Sequence, residues 1–122
     1  MDKSKQSRIE EWKEEFPELA DEIDKACSAH GEDDLVVLRT RGGAAIFRTP
    51  TGAECNRFTS EILDDKPGKK AGAGGNLCRS CVVFPTKQVF AGWLERYGMI
   101  VTFVLPHLMR LGGSEAVERG KE

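Results

Sequence analysis

Apolar side chains recur along the first thirty residues at steps of three or four, at Ile9, Trp12, Phe16, Leu19, Ile23 and Cys27, which is the stripe of an amphipathic helix. Ser7 and Glu10 stand at the spacing of a capping box ahead of it, and Pro17 divides the stripe into two helical pieces. The pattern then changes. Leu35 to Arg39 and Ala44 to Arg48 are two short apolar runs around a glycine turn, which predicts a β-hairpin. A lone hairpin is marginal in water, so it needs helices or another edge to cover it. Thr49-Pro50-Thr51 with Glu54 opens a further helix whose apolar face holds Cys55, Phe58 and Ile62.

Residues 64–75, reading DDKPGKKAGAGG, carry almost nothing to bury and predict a flexible linker. Beyond it, Asn76 caps a short helix through Leu77, Cys78, Cys81 and Val82 that ends before Pro85. Thr86 caps another, with Val89, Phe90, Trp93, Leu94 and Tyr97 on its apolar face and Gly98 as its stop. Met99 to Leu105 has the β-branched composition of a strand, yet the following residues to Gly112 finish like a helix; we read a helix kinked at Pro106. Residues 114–122 form a polar end that frays. These elements predict an α+β fold, a short antiparallel hairpin packed with four to five helices. An acidic helical segment spans 1–34, the hairpin and helical core 35–113.

The chain has 122 residues, enough for one compact domain, and a net charge of −2, which gives no general electrostatic case for nucleic acid. Charge is unevenly spread. Met1 to Asp34 holds 12 acidic and 5 basic residues, whereas Leu35 to Glu122 holds 8 acidic and 13 basic. Such asymmetry favours docking of the acidic segment on the basic remainder, or on a second copy, so self-association is expected. Glutamates fill the place where a signal peptide needs its apolar stretch, and no apolar run reaches the roughly 20 residues of a membrane span. A cytoplasmic protein with reduced thiols is the expectation.

Four cysteines and two histidines are the candidate chemistry. Cys27 with His30, and Cys78 with Cys81, would complete a tetrahedral zinc set if folding brought the pairs together; packing in the core is the stronger reading for each cysteine. Cys78-Arg-Ser-Cys81 lacks the strand-to-helix setting of a redox site. Lys69-Lys70 is followed by Ala71 and lacks the glycine–lysine–hydroxyl order of a phosphate-binding loop. Neither histidine has a nucleophile or acid at the spacing of a triad, so no catalytic residue and no cofactor is expected. Arg39, Arg41 and Arg48 form either a basic patch on the hairpin or the exposed face of its strands.

The segment from Asp33 to Phe58, DDLVVLRTRGGAAIFRTPTGAECNRF, resembles the core of small tail assembly chaperones of long-tailed phages: strand, turn, strand, then R-x-P-T-x-x-E-x-x-R-F. Arg48, Pro50, Thr51, Glu54, Arg57 and Phe58 carry that pattern. Asn76 to Pro85, Leu94-Glu95-Arg96-Tyr97 and Leu111-Gly112 look like the family's C-terminal helical half, so the likeness spans Arg8 to Gly112. The acidic stretch Leu19 to Asp34 is longer than the family's pattern, and the linker is more basic. The resemblance implies a non-enzymatic protein that binds the phage tape measure protein, keeps it soluble and helps bring tail tube subunits to it. It further implies action in the host cytoplasm and absence from the finished virion. Family members often have a longer, frameshifted form whose extension recruits the tube protein. Trp12, Phe16 and Trp93 are the expected contact anchors, with the core as their competing role. A virion neck or tail-completion protein and a small zinc-binding adaptor are the alternative functions.

Overall fold

The computed structural model describes residues 8–113, and the expected cap at Ser7 and frayed end at 114–122 lie outside them. Nine elements follow in order: α1 (Arg8–Glu15), α2 (Ala20–His30), β1 (Leu35–Arg39), β2 (Ala44–Arg48), α3 (Gly52–Ile62), α4 (Pro67–Cys81), β3 (Val82–Phe84), α5 (Lys87–Arg96) and α6 (Ile100–Leu111). The fold is α+β, with six α-helices among the described residues. Pro17 separates α1 from α2 through a single 3-10 turn, Pro17–Leu19, as its effect on the preceding residue requires.

The sheet is antiparallel in the order β1-β2-β3, with Leu35 opposite Arg48 and Arg39 opposite Ala44. Both of its faces are covered, which is why LVVL and AAIF read as continuous apolar runs instead of alternating ones. Leu38, Ala45 and Phe47 join Leu77, Cys78, Cys81, Phe90, Ile100, Val104 and Leu108 in one core on the side of α4, α5 and α6. Leu35, Val37 and Ile46 join Phe16, Leu19, Ile23 and Ala26 in a second core under α1 and α2. The acidic N-terminal segment is therefore one of the three layers.

Two expectations are corrected. Residues 64–75 are not a linker: Pro67 is the first residue of α4, which runs unbroken to Cys81. Its small residues serve contact, because a Cβ on Gly74 would lie 3.0 Å from Val101 Cγ1 and 3.3 Å from Leu105 Cδ2 of α6. Glycine lets the two helices approach, while Ala73 and Leu77 beside it are buried. Second, Val82 to Phe84 does not continue that helix but forms a third strand, paired with β2 through an irregular register at Ile46 and Phe47.

The hairpin turn is closed by Thr40, whose hydroxyl accepts from the amides of Gly42 and Gly43 at 3.1 Å and donates to the Gly43 carbonyl at 2.7 Å. Trp93 lies flat on this turn. A Cβ on Gly42 would stand 2.5 Å from the indole, closer than any van der Waals contact permits. Gly42→Ala is expected to displace Trp93 and to cost about 1–3 kcal/mol, the usual range for overpacking, read as a lower midpoint in urea unfolding.

Candidate functional site

Arg48, Pro50, Thr51, Glu54, Arg57 and Phe58 converge on one corner. Thr51 caps α3, accepting from the Glu54 amide at 3.1 Å, while Glu54 Oε1 accepts from the Thr51 amide at 2.9 Å. Arg48, at the end of β2, donates to both oxygens of Glu54 at 2.9 and 2.8 Å, and also to the Ser80 carbonyl at 2.8 Å and the Thr49 carbonyl at 3.1 Å. Lys87 adds a second cation on the same helix end, 2.8 Å from the Arg79 carbonyl and 3.0 Å from that of Ser80. These cations satisfy carbonyls that a helix C-terminus leaves open. Arg57 reaches the Ser80 hydroxyl at 3.2 Å, Pro50 is buried, and Phe58 packs against the first core. These residues form a structural joint among β2, α3 and α4.

The hydrogen bonds from Arg48 hold the Glu54 carboxyl down to about 2 against the opposing effect of burial, and the same contact raises Arg48. The thiols are equally committed. Cys78 and Cys81 are buried, and desolvation pushes them up to about 12 and about 11, so both are neutral thiols packed as small apolar groups. Cys81 Sγ also lies 3.8 Å from Glu54 Oε1. Cys27 packs on the second core, away from that pair, and its thiol is raised by burial and by Glu32 and Asp24. No group of three or more His, Cys, Asp or Glu among the described residues is arranged to hold a metal ion, so Cys27 and His30 do not meet Cys78 and Cys81.

The expected contact anchors are interior or nearly so. Phe16 is 2% exposed and lies beneath the Arg39 guanidinium at 4.7 Å, which removes it as an anchor. Trp12 is half-buried on the second core, and Trp93 covers the hairpin turn with its edge toward Phe90. The three hairpin arginines have separate roles. Arg48 belongs to the joint, Arg39 pairs with Glu18 at 3.1 Å and ties the acidic layer to the sheet, and Arg41 stays exposed.

What the sequence did not single out is a cleft at the corner of α5 and α6. It encloses about 560 Å3 and is lined by Arg39, Thr40 and Arg41 of the hairpin and by residues 96–100 with Phe103. Met99 is 74% exposed and Phe103 46%. Arg41 and Arg96 both stack on the Tyr97 ring, at 5.2 and 5.3 Å. Neither has a carboxylate partner among the described residues. A concave, largely apolar surface with two cations held on one ring can bind a ligand. A signal for it exists in the sequence: MIVTFVL is apolar at six of its seven positions, more than one core can absorb from a surface helix.

The structure resembles that of the uncharacterised protein rbstp2171 from Bacillus stearothermophilus, with a TM-score of 0.62 and 24% identity over 77% of this chain and 94% of that one. At that identity the likeness speaks for the fold alone. No protein-family model and no curated protein matches the sequence. No helix among the described residues is long and apolar enough to cross a membrane.

Two outcomes follow from this chemistry. Glu54 titrates near 2 when folded and about 4.3 when unfolded, so its stabilisation is complete above about pH 5 and is lost as pH falls toward 2. Glu54→Gln should lose about 1–3 kcal/mol at neutral pH and flatten the acid limb of a stability-against-pH curve. In a thiol titration at pH 8, Cys78 and Cys81 should react only on unfolding, which a Cys27→Ser/Cys55→Ser variant isolates from the two half-buried thiols.

Proposed function

We propose that this protein is a non-enzymatic assembly chaperone of a long-tailed phage, binding the tape measure protein and helping bring tail tube subunits to it. The observation that carries the reading is the cleft beside α6, where exposed Met99 and Phe103 adjoin two cations with no carboxylate partner among the described residues. The two buried thiols, Cys78 and Cys81, are committed to packing, and Arg48 and Glu54 to the joint. The family pattern from Arg48 to Phe58 supports the same reading, with those residues building the scaffold that presents the surface. On this reading the protein works in the host cytoplasm during assembly, binds in several copies and leaves before the virion is complete.

Native mass spectrometry of the chain co-expressed with the long, helix-rich product encoded beside its gene tests this. Several copies on that product are expected, along with absence of the chain from purified particles. A chain that stays bare beside that product, or is retained in finished particles, would refute the chaperone role, and retention would favour a neck or tail-completion protein.

A further inference from the structure

The cleft between the hairpin turn and the start of α6 has a definite chemistry. Its exposed apolar surface is supplied by Met99 and Phe103, and Ile100 behind them is buried in the first core. Its rim is cationic. Arg39 also lines the cleft, but its charge is engaged by Glu18 at 3.1 Å and the Glu15 carbonyl at 3.1 Å. Arg41 and Arg96 are different: one from the hairpin turn and one from the end of α5, they are held by stacking on the same Tyr97 ring. Stacking restricts both guanidiniums without neutralising them, so a carboxylate arriving there meets donors whose ordering is partly complete.

We propose that this cleft docks an acidic amphipathic helix of the partner protein, seating its apolar side chains against Met99 and Phe103 while its flanking carboxylates pair with Arg41 and Arg96. The partner's identity rests on the chaperone reading; the charge and shape of the occupant rest on the cleft. The acidic layer of a second copy is a poor match. Glu10, Glu11, Glu14 and Glu15 face outward on α1, but its apolar residues Ile9 and Trp12 are packed on the second core, so it offers charge without an apolar face. The exposed corner at Leu63, followed by Asp64 and Asp65, offers both, yet Lys66, Lys69 and Lys70 stand directly beside it and would repel the same arginines.

The test uses the full chain and a blocked 18-residue helical peptide with Leu and Phe at i, i+4 and i+7 and Glu on the flanks, against a companion in which every Glu is Lys. Fluorescence anisotropy at low salt is expected to show the Glu peptide binding about tenfold or more tightly than the Lys peptide. Arg41→Glu/Arg96→Glu, at two exposed positions, is expected to reverse that preference with the unfolding midpoint retained. Met99→Ser should weaken the Glu peptide without changing its sensitivity to salt. Equal affinity for the two peptides, or indifference to the double variant, overturns the proposal. So does a self-association of the wild type that the double variant abolishes while neither peptide binds, because the occupant is then a second copy. In co-expression, loss of capture by the double variant supports cleft and chaperone together. Capture equal to wild type overturns the cleft and leaves the chaperone standing. Arginine-dependent binding of the Glu peptide, with no capture by wild type, keeps the cleft and overturns the chaperone reading.

Discussion

One guanidinium organises this fold. Arg48 ends the middle strand, grips both oxygens of Glu54 in the first turn of α3, and holds the last turn of α4 through the Ser80 carbonyl. Because β3 begins at Val82, directly after α4, fixing Ser80 also fixes where the third strand enters the sheet. The pair is three-quarters or more shielded, at 23% and 20% exposure, where bidentate charge-assisted bonds exceed the strength of an open surface pair. Its partners are a capping box and a helix C-terminus, so removing Glu54 would also take the acceptor from the Thr51 amide, while the Ser80 carbonyl would keep Lys87 as its donor. The succession of an arginine, a proline, a threonine and a glutamate from Arg48 to Glu54 thus meets a requirement of architecture.

Local chemistry was legible wherever the signal was short-range. Thr51 with Glu54, Thr86 before Val89, Pro17 after Phe16 and the paired runs around Gly42-Gly43 each encode their element within a few residues, and each element formed there. The failures are tertiary. Glycine propensity argues for a loop over residues 64–75, but that scale is blind to Val101 and Leu105 on a helix 27 or more residues away from Gly74, against which smallness is an advantage. Val82 and Val83 continue a plausible helical face, and only the unfilled edge of β2 selects a strand. At the site, Arg41 was visible, but its pairing with Arg96 across Tyr97 depends on the hairpin turn meeting the end of α5, a contact no spacing records.

The layered arrangement also separates charge. The acidic helices α1 and α2 cover one face of the sheet and are tied to it through Arg39 and Glu18, while the cationic cleft opens beside the hairpin turn, where α5 meets α6. The acidic face and the cationic cleft thus present opposite local fields, which fade with salt.

The close approach at Gly74 has a thermodynamic consequence. With four glycines in fifteen residues, α4 carries a deficit of roughly 3–4 kcal/mol against an alanine helix of the same length, and it holds its shape by leaning on α6. α4 therefore draws its helical stability from the helices packed on it, α3 and α6, more than from its own sequence. Anything that clamps the first turn of α6 deepens the well of α4 as well and, through Ser80, tightens the seam where the third strand joins the sheet.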